Sequence, residues 1–258
     1  MQMANTQPSS QYVLITGAAK RLGREIALTF AQAGWGVAVH YGHSTSEALE
    51  TVAMCHSLNV KAVALQADLQ DLTLVAQLVP QAIAQLGGLD CVVNCASVFE
   101  YDSAANFDAK VLLKHLNPNL SAPILLAQGL FDSLKNDQKG CVVNVLDQKL
   151  AFLNPDFFSY TLTKAALEAA TMMLAQGMAP KMRVLGVSPG LTLPSYLQND
   201  EAYAAAKKLS LTGTSSTAKD VAATVLFAAQ NQSMTGCILR VDGGQPHIGL
   251  RRDVSLLT

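Results

Sequence analysis

The stretch YVLITGAAKRLG, residues 12 to 23, indicates how this chain folds. YVLIT is a short apolar run stopped by a glycine, which is typical of a buried strand. A glycine-rich turn follows it, and a helix pattern begins at Arg24, with Ile26, Ala27 and Phe30 on its apolar face. A strand, a glycine-rich turn and a helix in this order allow the backbone N–H groups of a helix N-terminus to bind a pyrophosphate.

The same alternation of strands and helices continues along the chain. Further strands are predicted at 36–41, 60–68, 89–94, 141–146, 183–188 and 237–242, and helices at 45–58, 71–86 and 107–134. Strands that are continuous runs of Val, Ile and Leu and that alternate with helices indicate a parallel sheet. We therefore predict an α/β fold, a single doubly wound Rossmann-type domain with a mainly parallel seven-stranded sheet.

Length and composition agree with one domain. The 258 residues are 50% hydrophobic and only 14% charged, which suits a large core and argues against disorder. Residues 1–10 are expected to be a flexible N-terminal tail, and residues 11–258 a single domain of this fold. No internal repeat, low-complexity tract or linker divides the sequence.

Charge and cysteine content exclude several classes of partner. A formal net charge of -1 gives no general attraction to nucleic acid or to an anionic membrane. Five scattered cysteines favour a reducing compartment, and Cys91 and Cys95 are expected to be core side chains rather than metal ligands. Residues 1–10 lack the basic start and apolar run of a signal peptide, and no apolar run approaches a membrane span. We therefore expect a cytoplasmic soluble protein without a metal.

A second stretch, NVLDQKLAFLNPDFFSYTLTK at 144–164, carries the candidate chemistry. Tyr160 and Lys164 are four residues apart, so a helix places both side chains on one face. A lysine ammonium beside a phenol favours the phenolate and lowers the pKa of the phenol. The spacing therefore predicts that Tyr160 acts as a general acid or base near neutral pH.

With these motifs in order, the chain resembles the short-chain dehydrogenase/reductase family over nearly its whole length. The matching features are TGAAKRLG at 16–23 for the cofactor turn, Asp68 for the acid near the adenine, NCAS at 94–97, Asn119 on a helix, the Tyr160 and Lys164 pair, SPG at 188–190 and VDGG at 241–244. The resemblance implies a nicotinamide cofactor and a proton relay through the tyrosine and lysine.

Three positions are similar to the pteridine reductase subgroup of that family. Arg21 replaces the middle glycine of the cofactor turn, Asp147 stands at the usual catalytic serine, and Phe99 follows the NCAS turn. The segment PGLT at 189–192 also lies where that subgroup has PGLS. The resemblance implies a pterin or folate substrate.

The chemistry of Asp147 favours the same substrate class. A serine hydroxyl can donate to the oxyanion that develops on a reduced carbonyl, whereas an ionised aspartate would repel it. A pterin C=N bond develops no such oxyanion, and Asp147 could accept a hydrogen bond from Tyr160 or relay a proton. The alternative is that Asp147 only caps the segment entering the next helix and that the protein is inactive.

The resemblance implies roles for the other candidates, each with a simpler alternative. Lys164 would hold the nicotinamide ribose, and Asn119 would keep a water in the relay or merely cap or kink its helix beside two prolines. Arg21 would meet the pyrophosphate and the polar edge of the pterin, or be solvated on its turn. Phe99 would stack on the flat heterocycle or belong to the core, and Ser97 is a candidate hydrogen-bond partner of the ligand.

The end of the second predicted strand bears on the choice of cofactor. An NAD enzyme usually has an acid there for the ribose 2′-hydroxyl, but HYGHSTSE has none before Glu47. Lys20, His43 and Ser44 could instead bind a 2′-phosphate, so we predict NADPH. The predicted cofactor contacts are Gly17, Lys20, Arg21, Leu22, Gly23, His40, Tyr41, His43, Ser44, Asp68, Leu69, Asn94, Ala96, Ser97, Tyr160, Lys164, Pro189, Gly190 and Thr192.

Two other functions remain open. One is a reductase of the same fold acting on 3-oxoacyl thioesters or other carbonyl compounds, against which Asp147 counts. The other is a cofactor-sensing binding protein, although such proteins commonly lose the tyrosine or lysine that this chain keeps. Residues 191–216 are expected to form a mobile helix-loop cover over the substrate. Family members usually self-associate, so the resemblance implies a homotetramer.

Overall fold

Strands and helices alternate along the chain as predicted, in a computed structural model that describes residues 11–135 and 137–256. The strands are β1 (Tyr12–Ile15), β2 (Gly36–Tyr41), β3 (Ala62–Gln66), β4 (Cys91–Asn94), β5 (Gly140–Val145), β6 (Met182–Pro189) and β7 (Ile238–Val241). The α-helices are α1 (Arg21–Gln32), α2 (Thr45–Ser57), α3 (Leu72–Leu86), α4 (Ala109–Leu116), α5 (Ala122–Ser133), α6 (Phe158–Met178), α7 (Asp200–Lys208) and α8 (Ala218–Gln230). The predicted tail at 1–10 lies outside the described residues.

The seven strands form one sheet in the order β3-β2-β1-β4-β5-β6-β7. Every neighbouring pair of strands is parallel, from β2 against β3 to β6 against β7. The prediction of a doubly wound parallel sheet is therefore confirmed. Because the strand order reverses between β1 and β4, a crevice opens there beyond the carboxyl ends of the strands.

Helices cover both faces of the sheet, and each face has its own core. On one face, α1, α2 and α8 contribute Ile26, Ala48 and Val221 to a cluster of buried side chains. On the other face, α3 and α5 contribute Val75 and Leu126 to a second cluster. The strand residues alternate between the two clusters, which explains why the strands read as continuous apolar runs.

The helix predicted over 107–134 is helical from Ala109 to Ser133, but it is not a regular α-helix throughout. The helix begins at Ala109 after the N-cap Asp108, and a π-helical stretch at Asn117–Ser121 separates α4 from α5. Pro118 and Pro123 lack the backbone N–H groups that a continuous α-helix would use, so the hydrogen-bond ladder is interrupted there. The interruption directs the side chain of Asn119 into the interior.

A second boundary also differs from the prediction. Helix α1 begins at Arg21 and not at Arg24, so the last part of the glycine-rich stretch is already helical. Lys20 is the N-cap, and its side chain makes no capping hydrogen bond. The other predicted boundaries agree with the structure within about two residues, the usual precision at the ends of elements.

The described residues also bear on whether the chain has a membrane-spanning helix, a metal site or a disulfide. Within residues 11–135 and 137–256, every helix is too short or too polar to cross a membrane. The same part of the chain holds no group of three or more His, Cys, Asp or Glu that could bind a metal ion. All five cysteines are free thiols, and Cys55, Cys91 and Cys141 are buried.

Candidate active site

A cavity of about 490 Å³ lies beyond the carboxyl ends of β4, β5 and β6. Its walls come from the glycine-rich turn, the loops after these strands, helix α6 and the C-terminal segment. The cavity brings together residues that are far apart in the sequence. The predicted site residues that line it are Arg21, Leu22, Ser97, Phe99, Asp147, Tyr160, Lys164, Pro189, Gly190 and Thr192.

The centre of the cavity is a hydrogen bond between Tyr160 and Asp147. The phenol Oη of Tyr160 donates to Oδ2 of Asp147 over 2.8 Å. Asp147 follows β5, whereas Tyr160 lies in the first turn of α6, so strand and helix each position one partner. This is the contact that the sequence offered as one of the possible roles of Asp147.

Asp147 also caps the turn that follows it. Its Oδ1 accepts a hydrogen bond of 2.9 Å from the backbone N–H of Lys149, at the start of the short helical turn Gln148–Ala151. The simpler alternative for Asp147 is therefore correct as far as capping goes. Oδ1 caps the turn and Oδ2 accepts from Tyr160, so capping and a role in catalysis are compatible.

Lys164 is buried below the cavity, on the same face of α6 as Tyr160. Its Nζ donates to the carbonyl oxygen of Val145 over 2.7 Å and lies 5.8 Å from the centroid of the Tyr160 ring. Burial lowers the pKa of the Lys164 ammonium to about 8, and the negative charge of Asp147 opposes that change. The ammonium is therefore still mostly charged at neutral pH.

The prediction that the pKa of Tyr160 is lowered is wrong. Burial raises the pKa of the Tyr160 phenol well above its ordinary value of 10.0, and the charge and hydrogen bond of Asp147 raise it further. Burial also raises the pKa of Asp147, although the bonds from Lys149 N–H and Tyr160 oppose this. Asp147 acts on the phenol through a direct hydrogen bond, whereas the ammonium of Lys164 donates to the carbonyl oxygen of Val145.

Asn119 is completely buried and holds the loop after β4. Its Nδ2 donates to the carbonyl oxygen of Val98 over 3.0 Å and to Thr163 Oγ1 over 3.2 Å, while its Oδ1 accepts from Val98 N–H over 2.8 Å. Ser97 Oγ also donates to that Oδ1, over 3.1 Å. The side chain thus positions the Ser97 loop, and its part in a proton relay stays a prediction.

Phe99 presents its ring to the cavity and is fixed from two sides. The ring of Phe157 stacks on it at 4.1 Å between centroids, with 17° between the ring planes. The ring of Tyr160 meets it edge-on at 4.7 Å. Phe99 is therefore half-buried rather than a core residue, and it has the rigid support that a stacking platform needs.

Arg21 reaches across the mouth of the cavity. Its Nη2 donates to the carbonyl oxygen of Pro194 over 2.8 Å, so it connects the glycine-rich turn with the segment after β6. Its backbone has a φ of 54°, a left-handed conformation that is unfavourable for a residue with a side chain. The middle position of the turn thus keeps the conformation of a glycine although it carries an arginine.

The glycine-rich turn is packed too tightly for side chains at two positions. A Cβ on Gly23 would lie 2.1 Å from the carbonyl oxygen of Gly17, and a Cβ on Gly17 would lie 3.0 Å from the Cα of Ala96. Thr16 ties the same region together, because its Oγ1 accepts from the N–H groups of Cys95 and Ala96, each over 3.0 Å. The turn is therefore held against the loop after β4.

His40 supports this turn from inside the protein with its side chain, and its predicted contact with the cofactor stays a prediction. Its Nδ1 accepts from the backbone N–H of Gly17 over 3.1 Å, and its Nε2 contacts the carbonyl oxygen of Ala67 at 3.1 Å. Burial lowers the pKa of His40 to about 4, and the bond to Ala67 opposes this. The imidazole is therefore neutral, and both of its nitrogens are used within the fold.

The buried His40 predicts how stability depends on pH. Its pKa is about 4 in the folded protein against an ordinary 6.5, so the unfolded chain binds more protons between these values. The free energy of unfolding should therefore fall as the pH decreases from 6.5 to 4, by a His40 contribution on the order of 3 kcal/mol. Urea unfolding at a series of pH values measures this loss.

A variant and a matched control isolate the contribution. His40→Asn keeps an acceptor for the Gly17 N–H but removes the titration, so its stability should decline less steeply in acid. His247→Gln changes an exposed histidine and is the matched control, because it should leave the contribution of His40 in place. Equal acid dependence in His40→Asn and the wild type would contradict the assignment.

Lys20, His43 and Ser44 lie close to the carboxyl end of β2, but Glu47 reaches the same place. The Nζ of Lys20 lies 4.0 Å from Oε1 of Glu47, and the two side chains are 56% and 43% exposed. An ion pair this exposed contributes little, so it would not prevent Lys20 from binding a phosphate. Ser44 is the N-cap of α2 and makes no side-chain cap bond.

The remaining predicted cofactor residues lie at the ends of the neighbouring strands. Asp68 is exposed after β3, where its Oδ1 accepts from Gln70 N–H over 2.9 Å, and Leu69 is buried beside it. Tyr41 ends β2 and packs against the core. Asn94 is buried and donates to Asn144 Oδ1 over 2.8 Å, so its side chain joins β4 to β5 rather than facing the cavity.

Sequence reasoning missed residues that contact the site from distant parts of the chain. Lys149 and Asp253 form a partly buried ion pair of 3.1 Å at the edge of the cavity. Phe157, with a φ of 49°, supports Phe99 from behind. The left-handed φ and the 104-residue separation of the ion pair leave no pattern in the sequence.

The segment predicted to cover the substrate contains α7 and the loops on either side of it. Pro194 and Tyr196 line the cavity, and the hydroxyl of Tyr196 accepts from Tyr101 N–H over 3.1 Å. Tyr203 lies on α7 and donates from its hydroxyl to the carbonyl oxygen of Thr192 over 2.7 Å. The segment therefore forms a wall of the cavity, while its mobility stays a prediction.

Comparisons with known proteins agree with this geometry. The family model for short chain dehydrogenases matches residues 11–205. FolM alternative dihydrofolate reductase 1 from Brucella suis, solved in complex with NADP, superimposes with a TM-score of 0.89 at 36% identity, covering 92% of this chain and 95% of that one. The corresponding protein from Brucella canis, also complexed with NADP, gives a TM-score of 0.86 at 36% identity, with 92% and 94% covered.

A curated relative carries a different activity. The 3-oxoacyl-[acyl-carrier-protein] reductase of Staphylococcus aureus is 27% identical over 240 residues, which are 90% of this chain and 96% of the relative. Both kinds of relative extend over nearly the whole chain, so the fold alone does not separate a folate substrate from an acyl thioester.

Proposed function

Because the chain belongs to the short-chain dehydrogenase family, we propose that it is an NADPH-dependent reductase of dihydropterins or dihydrofolate, forming the tetrahydro products. The hydrogen bond of 2.8 Å from Tyr160 to Asp147 carries the proposal. It places a carboxyl group, rather than a hydroxyl, next to the tyrosine at the reacting end of the cavity. The 36% identity to two FolM alternative dihydrofolate reductases supports the same substrate class.

The residues present fit a dinucleotide cofactor. The first N–H groups of α1 have no side-chain cap, because Lys20 makes no capping bond, so a pyrophosphate could accept hydrogen bonds from them. Lys164 would hold the nicotinamide ribose, and Lys20, His43 and Ser44 would hold a 2′-phosphate. NADPH, when bound, supplies the hydride.

Asp147 and Tyr160 would supply the proton. Burial raises the pKa of each group, so the pair retains a proton more readily than an exposed carboxylate and phenol would. Tyr160 Oη donates to Asp147 Oδ2 over 2.8 Å, so a proton that Asp147 gives to a ring nitrogen of the substrate would be replaced from Tyr160, and Tyr160 would in turn regain a proton from solvent. Lys164 provides the positive charge that offsets the charge of Asp147.

Phe99 and Arg21 would recognise the substrate. The supported ring of Phe99 offers a flat face to a pterin, and Ser97 lies beside it on the same loop. Arg21 extends a planar set of N–H donors over the cavity mouth, where its bond to Pro194 could be exchanged for one to the ligand.

The proposal is tested with purified protein and two substrate classes. NADPH oxidation should be rapid with dihydrobiopterin, dihydromonapterin or dihydrofolate and negligible with an acetoacetyl thioester. A diaminopteridine antifolate should compete with the pterin substrate. Turnover of the thioester without turnover of any pterin would instead support the carbonyl reductase that the Staphylococcus aureus relative represents.

Cofactor preference gives a separate prediction. We expect a higher kcat/KM for NADPH than for NADH, because the end of β2 has basic side chains and a polar helix start where an NAD enzyme has an acid. Lys20→Met should lower kcat/KM for NADPH roughly tenfold and leave NADH nearly unchanged, as expected for one lost charge-assisted hydrogen bond. Steady-state kinetics with both cofactors at a fixed substrate concentration measures both effects.

Glu47→Gln is the matched control for Lys20→Met. It removes the carboxylate 4.0 Å from Lys20 and should improve use of NADPH, if it changes anything. A wild-type preference for NADH, or a gain in NADH use in Glu47→Gln, would contradict the 2′-phosphate assignment.

We further propose that the protein is cytoplasmic and forms a homotetramer, as the family resemblance implies. Exposed apolar side chains on α6 support self-association, because Leu162, Met172 and Met173 are 43%, 43% and 71% exposed in the single chain. Light scattering of the purified protein would give the mass of the assembly, and a monomer at micromolar concentration would contradict it.

A further inference from the structure

The C-terminal segment forms a wall of the substrate cavity. Leu250, Arg252 and Asp253 line the cavity, followed by Val254 and Ser255 at the start of a short helical turn. Val254 and Ser255 are only 8% and 4% exposed, so this segment is packed into the protein. The Asp253 side chain is 16% exposed at the edge of the cavity.

Lys149 connects this segment with the catalytic carboxyl group. Its backbone N–H donates to Asp147 Oδ1 over 2.9 Å, and its Nζ donates to Asp253 Oδ2 over 3.1 Å. The Nζ also contacts the carbonyl oxygen of Asp156 and lies 5.3 Å from the centroid of the Phe157 ring. The Lys149 side chain is 5% exposed, so its charge depends on Asp253 for compensation.

Asp253 is itself held in place. Its Oδ1 accepts from the N–H of Ser255 over 3.0 Å and from its hydroxyl over 2.7 Å. Its backbone N–H donates to Asp156 Oδ2 over 2.8 Å. The neighbouring Arg252 is paired with that same oxygen of Asp156 over 2.7 Å, so it does not neutralise Asp253.

We propose that Asp253 is a positioning residue for the proposed reductase, and that its ion pair with Lys149 orients the Asp147 carboxyl for proton transfer. The proton transfer in this inference rests on the proposed function, whereas the contacts from Asp253 through Lys149 to Asp147 do not depend on it. Lys149 belongs to the turn that Asp147 caps, and its backbone N–H fixes Asp147 Oδ1, while Asp253 holds the side chain of Lys149. Asp253 also adds a second negative charge near Asp147.

The electrostatic surroundings of Asp147 agree with this role. Burial is the main cause that raises the pKa of Asp147, and the charge of Asp253 raises it further. Lys164 lowers it from α6, together with the hydrogen bonds from Tyr160 and Lys149 N–H. Asp253 therefore helps Asp147 to retain a proton, while its partner Lys149 limits the strength of that effect.

The titration of Asp147 tests the proposal without any substrate. Carboxyl ¹³C NMR of protein labelled at aspartate would follow Asp147, identified by the loss of its signal in Asp147→Asn. Asp253→Asn removes a negative charge and leaves the Lys149 ammonium without its counter-charge, so the pKa of Asp147 should fall. Lys149→Gln leaves Asp253 uncompensated, so the pKa of Asp147 should rise.

Opposite shifts separate positioning from a merely structural role. Loosening of the fold would admit water in both variants and lower the pKa of Asp147 in both. Shifts in the same direction, or unchanged values, would therefore overturn the proposal. Asp253→Asn is isosteric and keeps an acceptor for Ser255, so an unchanged titration in this variant overturns the proposal even where Lys149→Gln does not fold.

Kinetics then connects the titration with turnover. In Asp253→Asn, the decline of kcat/KM for the dihydropterin with rising pH should begin at lower pH, because Asp147 loses its proton earlier. At a fixed pH on that decline, kcat/KM should be roughly tenfold lower than in the wild type, while the Kd for NADPH is unchanged. An unshifted pH profile alongside a shifted NMR titration would overturn the role in proton transfer.

The two proposals fail in different ways. Absence of pterin turnover in the wild type would reject the proposed function, but the opposite NMR shifts would still establish the link from Asp253 through Lys149 to Asp147. Pterin turnover with no effect of Asp253→Asn on titration or profile would reject the positioning role alone.

Discussion

Replacing Tyr160 with phenylalanine should lower turnover of the true substrate by roughly 10² to 10⁴-fold, the usual size of a general acid contribution. The variant removes the hydroxyl that donates to Asp147 over 2.8 Å and leaves the ring in contact with Phe99. The shape of the cavity is therefore retained, and NADPH binding should be nearly unchanged. Single-turnover kinetics measures the loss, and quenching of protein fluorescence measures NADPH affinity.

A second tyrosine gives the matched control. Tyr12→Phe changes the first residue of the central strand β1, at the amino end of the strands, whereas the cavity lies beyond their carboxyl ends. It should retain wild-type turnover. Wild-type kcat in Tyr160→Phe would mean that the proton comes from another group, and weak NADPH binding in this variant would indicate a disturbed cofactor site.

Replacing Asp147 with serine should damage pterin reduction by roughly 10²-fold and permit trace activity on carbonyl compounds. A carboxyl group repels the oxyanion formed from a carbonyl whenever it is ionised, including after it has given up its proton, whereas a serine hydroxyl donates to the oxyanion throughout. Serine is also a good N-cap, so it can keep the bond to the Lys149 N–H that Asp147 now accepts over 2.9 Å. The change in activity therefore reports chemistry rather than loss of the local fold.

Asp147→Asn completes this comparison. It keeps the shape and the cap acceptor but cannot carry the proton, so it should lose pterin reduction without gaining carbonyl activity. Assays of NADPH oxidation with a dihydropterin and with an acetoacetyl thioester compare both variants. Undiminished pterin reduction in Asp147→Ser and Asp147→Asn would show that Asp147 only caps its turn.

The sequence was sufficient to predict the order of the strands and helices. It was also sufficient to predict which residues share one face of a single helix. Apolar runs stopped by glycine marked the strands, because a parallel strand is buried on both faces. Tyr160 and Lys164 share a face of α6 because helix geometry fixes that spacing. The prediction over 107–134 located this helical stretch but missed its π-helical part, because the effect of Pro118 and Pro123 depends on whether the surrounding fold accepts such an interruption.

The electrostatics of the site depended on contacts that no spacing reveals. The sequence placed Lys164 near Tyr160 and predicted a lowered pKa, but Asp147 is the group in hydrogen-bond contact with the phenol. His40 looked like a cofactor contact at the end of β2, yet its side chain points inward to Gly17. A strand alternates its side chains between two faces, and only the packing of helices on both faces shows which neighbour each one meets.

The sequence by itself thus determined the family, the parallel sheet and the identities of the residues at the carboxyl ends of the strands. Those properties follow from local periodicity and from motifs within a few residues. Only the tertiary structure decided that Lys149 meets Asp253, that Glu47 approaches Lys20 and that Phe157 supports Phe99. These contacts join residues on separate elements, which only the folded chain brings together. No pattern along the sequence therefore reveals them.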